Sequence, residues 1–243
     1  MTYFAAFFLV NNGYDVWMPT VRGAGFSTQH KHLTMEDPSY WNFSSIRVTP
    51  MGTTMSYIYS SVRKDHANTH LKALISLSPV AYLRTMTPLY KVLVPVFQTL
   101  LRSFINAGMY AIGHQQSLHQ LIYKMCRLYP TIIACFMINS LGTGLSSEQV
   151  LPEMIPVFAS YFPAAISMKT LHHFIQLIAS GGRFQYYDYG FNNPIYYKSM
   201  LAPVYDVSNI TLPVFLFIGR KDAIAVDSTS QVPGLLGTKA HKS

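Results

Sequence analysis

The stretch RVTPMGTTMSY, residues 47–57, decides how this chain is to be read. Its small residues Gly52-Thr53-Thr54 run into a pattern that predicts a helix over 51–61, beginning at a turn. Downstream, LKALISLSPVAY (71–82) reads as a buried strand running out into a Pro-Val-Ala loop. Upstream, Tyr14-Asp15-Val16-Trp17-Met18 alternates like a strand and is ended by Pro19, and VRGAGFSTQH follows as a glycine-containing loop. LPVFLFIG (212–219) reads as a second buried strand, followed by the turn Arg220-Lys221-Asp222. Between the strands, residues 89–136 are helical in pattern and rich in Phe, Leu, Tyr and Met, and 167–179 predicts a further helix stopped by Gly181-Gly182. Strands alternating with helices at this spacing predict an α/β fold with a mostly parallel sheet, and the aromatic-rich helical block reads as an inserted cap.

With 243 residues, the chain has room for one large α/β domain or two small ones. Half of the residues are hydrophobic and 12% are charged, which excludes a disordered chain and leaves room for a lipid-facing surface. The longest apolar runs, such as 3–10 and 92–97, fall far short of the roughly eighteen residues of a spanning helix, so no transmembrane segment is expected. Met1 leads into the chain without a basic region or a small-residue cleavage pattern, and no signal peptide is expected in the sequence as given. The formal charge of +8 reflects ten acidic residues against eighteen Lys and Arg spread singly, not a basic stripe. That distribution argues against nucleic-acid binding and favours a weak attraction to anionic lipid surfaces. Cys126 and Cys135 have neither the spacing nor the His partners of a zinc site, and composition leaves free thiols and a short-loop disulfide equally open.

An α/β-hydrolase carries its nucleophile at G-x-S-x-G, a strained strand-to-helix turn that lifts the serine above the sheet to meet an acid and a His from later loops. No such motif occurs in this chain. Several blocks nevertheless resemble the acid lipases, the gastric, lysosomal and insect members of that superfamily. NNGYDVWMPTVRGAGFSTQHKHLTMEDPSYWNFS (11–44) is similar to a family segment of the form G-Y-D-V-W…R-G…S…D-P-x-F-W-x-F-S. KALISLSPVAYL resembles the family strand ending A-P-V-A, and SMKTLHHFIQLIASGGRFQYYDYG resembles its block H-x-x-Q-x-x-x-S-G-x-F-x-x-Y-D-Y-G. YDVSNITLPVFLFIGRKDAIA is similar to the family stretch that carries the triad acid. The blocks run in the family's order and cover most of residues 4–226. The resemblance implies an α/β-hydrolase fold over 1–227, with a helical cap insertion at about 84–185 and an unstructured tail at 228–243.

Met51-Gly52-Thr53-Thr54 matches the last four positions of the family elbow G-H-S-x-G-T-T, which puts Pro50 where the serine would stand, Thr49 at the His and Val48 at the first Gly. Asp222 falls on the triad acid. The family's histidine lies in an N-H-L-D-F-like stretch, whereas beyond Asp222 this sequence has only His241, which is not expected to act as a base. The family strand before the elbow is replaced by the short stretch 45–50, and the loop that helps build the oxyanion hole has no counterpart in the sequence as given. Loss of this kind at discrete junctions predicts an incomplete fold, in a truncated or alternatively spliced form that does not hydrolyse esters. Ser27, Ser76, Ser78, Ser146 and Ser147 are not followed by an elbow and are expected to be structural, and His173 is expected to be a hydrogen-bonded core histidine.

The resemblance also implies a Cys126–Cys135 disulfide, since family members carry two cap cysteines at this spacing, and the sequons at Asn42 and Asn209 agree with an exported chain. The family is secreted or lysosomal, uses no cofactor or metal, and hydrolyses triacylglycerols or steryl esters through a serine acyl-enzyme. Lipid esters or a lipid surface are the implied partners. A second class of reading is a non-catalytic homologue that binds lipid or a partner chain.

Overall fold

The computed structural model describes residues 8–15, 22–23, 27–43, 52–77, 80–82, 88–113, 116–143, 154–161 and 165–217. Helix α1 (Gly52–Val62) buries Thr54, Tyr57, Ile58 and Ser61, the i, i+3, i+4, i+7 stripe of a helix lying on a core. A short helix α2 (Lys64–His70) leads into β1 (Leu74–Leu77). The chain continues through α3 (Pro88–Asn106), the two-residue strand β2 (Ala111–Ile112), α4 (Gln116–Cys126), α5 (Thr131–Thr143) and α6 (Met154–Tyr161). The chain returns through β3 (Ile166–Ser167) into α7 (Met168–Ala179), then α8 (Asn193–Tyr197) and β4 (Val214–Phe217).

β1 and β4 pair in parallel, Leu74 opposite Val214 through Leu77 opposite Phe217, while β2 and β3 pair antiparallel. The described residues thus form a mixed helix and strand structure with one small parallel sheet. The single helical block predicted over 89–136 is instead three helices. It breaks where Gly108 and Gly113 take φ of 88° and 74° around β2, because β2 is needed to pair with β3 at the start of α7. Both strands expected to be buried are buried on one face only. Leu74, Ser76 and Val214 are inside, whereas Ile75, Phe215 and Phe217 face outward.

The core gathers Tyr57 and Ile58 from α1, Leu74 from β1, Val214 from β4, and Ala81, Phe184, Tyr205, Val207 and Ile210 from the connections. Residues 184–186 and 203–205 run antiparallel, with Tyr205 N–H donating to the Phe184 carbonyl at 2.8 Å and Tyr186 N–H to that of Pro203 at 2.9 Å. That pairing places Phe184 against Tyr205 (ring centroids 4.9 Å apart) and stacks Tyr186 on Tyr205 at 4.2 Å.

A second cluster, Tyr40, Trp41, Phe43 and Ala111, holds the 37–43 segment. Gly23, at φ +89°, lies so close to it that a Cβ would sit 2.5 Å from the Trp41 ring, so the glycine of the "VRG" loop is required there. Between α4 and α5, Cys126 and Cys135 form a disulfide with Cα atoms 5.9 Å apart. None of the described helices is long and apolar enough to cross a membrane.

Phe184 is fully buried. Phe184→Ala is therefore expected to cost about 3–5 kcal/mol of unfolding free energy, read as a lowered urea midpoint.

Candidate functional site

The site implied by the sequence begins at the N-terminus of α1. Thr53 and Thr54 both reach the loop that leaves β1. Thr54 Oγ donates to the Val80 carbonyl at 2.5 Å, and Val80 N–H donates to Thr53 Oγ at 3.3 Å. The Gly-Thr-Thr run and the Pro-Val-Ala loop, 27 residues apart in sequence, are thereby stitched together at the C-terminal end of β1. In an α/β sheet, chemistry collects at that end of the strands. Gly52 itself is uncrowded, since an added Cβ would meet nothing within 4 Å. Pro50, Thr49, Val48 and Met51 lie outside the described residues, as do Ser78, Ser146, Ser147, Asp222, His241 and the 228–243 tail. Ser76 is buried in β1 beside the Tyr57 hydroxyl, and the Ser27 carbonyl accepts from Gly23 N–H and the Tyr40 hydroxyl.

The His-His-x-x-Gln pattern of α7 builds a second set of polar contacts. His173, completely buried, bonds through Nε2 to the Gln185 carbonyl at 2.9 Å, and His172 Nδ1 pairs with the Tyr187 hydroxyl at 2.8 Å. Gln176 clamps the Asp188 backbone, donating to its carbonyl at 2.7 Å and accepting from its N–H at 3.0 Å. Burial pushes His173 down to about 4, although bonds to the backbone of Gln185 and Tyr186 pull the other way. His172 is lowered too, by burial and then by the Arg102 guanidinium. Burial pushes Tyr187 up to about 12. Both imidazoles are therefore neutral at pH 7 and tie helix to loop. Among the described residues, the hydroxyl paired with His172 is that of Tyr187, a phenol held protonated.

Asn42 is exposed on the segment that docks onto α7, where Ser167 Oγ donates to the Trp41 carbonyl at 2.6 Å. Lys169 Nζ donates to Asn42 Oδ1 at 3.0 Å and lies over the Tyr187 and Tyr189 rings. Asn209 is also exposed, and the hydroxyl of its sequon partner Thr211 pairs with the Asn68 amide. A polar cleft of about 250 Å³ opens between α3 and α7, bordered by Gln98, Arg102, Gln176, Gln185 and Asp188. It holds no nucleophile and base pair, since its one serine, Ser180, is engaged with the Leu177 and Arg183 backbone.

Asn193 organises this region and carried no signal in the sequence. Fully buried, it donates to Asp188 Oδ1 at 2.8 Å and to the Met200 carbonyl at 3.1 Å, and it accepts from Tyr189 N–H at 2.9 Å. Gln176 could have been found, because it lies three residues beyond His173 on the same helix face.

The chain is 24% identical to lipase member K of Mus musculus over 250 residues, covering 90% of this chain and 61% of that protein. It is 27% identical to Lipase 1 of Drosophila melanogaster, with 90% and 54% covered. Gastric triacylglycerol lipase of Rattus norvegicus matches at 25%, over 98% of this chain and 67% of the rat protein. No family-level sequence profile matches. The relatives are lipases throughout, and this chain spans roughly six-tenths of their length. These likenesses support the acid lipase family and, with it, the α/β-hydrolase fold.

The depressed His173 makes a prediction. The unfolded chain takes up this proton near pH 6.5 and the folded chain only near 4, so stability is retained above 6.5 and lost as pH falls from 6.5 to about 4. The full loss from this group is about 3 kcal/mol. His173→Gln is expected to be less stable at pH 7 but to show a visibly flatter decline of melting temperature across that window.

Proposed function

We propose that this chain is a lipase-family scaffold that has kept the frame of the ester-hydrolysing site and lost its nucleophile, so that it engages lipid esters or a lipid surface without hydrolysing them. The observation that supports this reading is the contrast across the elbow. Thr53 and Thr54 still grip the Val80 loop, while Pro50 stands where the serine would be and has no group able to form an acyl-enzyme. Asp222 is assigned as the triad acid, whose task in the family is to orient an imidazole. The intact relatives of this form would act on triacylglycerols or steryl esters by a serine acyl-enzyme without a cofactor. The sheet is read as an incomplete α/β-hydrolase sheet in a single domain over 1–227, with the helical block at about 84–185 as its cap. Ile75, Phe215 and Phe217 on the outward face of β1 and β4 agree with a sheet that has lost neighbours.

The proposed compartment is oxidising, secreted or lysosomal. There the Cys126–Cys135 disulfide persists, and the exposed Asn42 and Asn209 are available to carry glycans. The second reading, a non-catalytic homologue with a binding role of its own, is favoured by the rigid apolar surface around Phe191.

The deciding experiment offers the purified protein a fluorogenic lipid ester and a serine-reactive fluorophosphonate. No turnover above the uncatalysed rate and no covalent label are expected. Turnover that the phosphonate abolishes would overturn the proposal.

A further inference from the structure

The segment between the buried pair Phe184 and Gln185 and the buried Tyr205 presents an unusual surface. Phe191 is 97% exposed, Ile195 78%, Met200 70% and Leu201 64%. This is not the exposure of a loosely held loop. Asn193 bonds Asp188, Tyr189 and Met200 from a buried position, so the two arms of the segment are pinned to one another. Tyr189 and Tyr196 stack at 3.9 Å, the Tyr197 hydroxyl donates to the Tyr187 carbonyl at 2.8 Å, and Lys198 ends α8 in the left-handed conformation. A rigid support thus holds large apolar side chains in water, an arrangement that marks an interaction surface.

Charge decides what covers it. Residues 189–205 include Lys198 and no Asp or Glu. The bracketing carboxylates are committed locally, Asp188 to Gly190 N–H and Asn193, and Asp206 to Ser208. The whole chain carries a formal +8. A second copy would bring Lys198 against a surface without a carboxylate, whereas an anionic bilayer meets both features. Aliphatic and Phe side chains enter the acyl boundary, the amphipathic Tyr196 stays at headgroup depth, and Lys198 pairs with phosphate or carboxylate headgroups.

We infer that Phe191, Ile195, Met200 and Leu201, rimmed by Tyr196 and Lys198, form the contact by which this protein sits on an anionic phospholipid surface. The inference extends the lipid-surface reading above to a specific face, and its test reads binding alone, independent of ester turnover.

The test is flotation of the full chain with vesicles of phosphatidylserine and phosphatidylcholine in equal parts, against phosphatidylcholine alone. Preferential binding to the anionic vesicles, weakened by salt, is expected, with Phe191→Asp/Met200→Asp losing about tenfold or more in affinity. Lys198→Glu should reduce binding to anionic vesicles and leave binding to phosphatidylcholine unchanged. Unaltered melting temperatures separate these effects from misfolding, and Ile195→Asp serves as the alternative if the double variant does not fold. Vesicle binding that is equal in the variants would overturn the inference while leaving the lipid reading intact. Absence of vesicle binding by the parent chain, or self-association that the double variant abolishes, would also overturn it.

Discussion

The antiparallel contact between residues 184–186 and 203–205 is the constraint on which the remainder depends. It puts Phe184 and Tyr205 into one core with Tyr57 and Ile58 of α1 and Val214 of β4. Through Val214 it aligns β4 with β1, and through Tyr57 it sets α1 beneath the loop that leaves β1. The outward course of residues 187–202 follows from the same pairing. Once both ends are buried, the intervening segment must project, and Asn193 prevents it from collapsing back. Burial of aromatic surface supplies the energy, and the paired backbone groups remove the cost of burying them.

The hydrogen bonds around α7 have a different character. Gln176, His172 and His173 each reach into 185–188, so helix and loop are joined by three side chains. In an enzyme site, a lowered histidine next to a hydroxyl suggests a base. Here the described partners include a main-chain carbonyl and a buried phenol, and the depressed value follows first from burial, with neighbouring positive charge adding to it. The same low-dielectric surroundings that keep His173 neutral make it a liability in acid, because charging it requires opening the core.

At the N-terminus of α1, Thr53 and Thr54 hold the helix to the loop that leaves β1, a task of the scaffold that needs no nucleophile three or four residues upstream. An added Cβ on Gly52 would meet no described neighbour within 4 Å, so nothing described there obliges it to be glycine.

Much of this was legible along the chain. The helix starting near Gly52, the strands within 71–82 and 212–219, the helix ending at Gly181-Gly182 and the kinship of the blocks are written in short-range pattern and motif order. So are the residue types at 48–54, a stretch with no serine. Other features required the tertiary structure. The break between α3 and α4 within 89–136 goes with β2 pairing with β3, more than fifty residues away. The one-sided burial of the strands depends on which neighbours each face finds. Asn193 and the exposed Phe191 read like any loop residues until the 184–205 contact surrounds one and strands the other. A sequence determines its local periods and the chemistry of its side chains by itself. Which groups end up buried together is decided only when distant segments meet, because burial is a property of the whole contact surface and not of any one stretch.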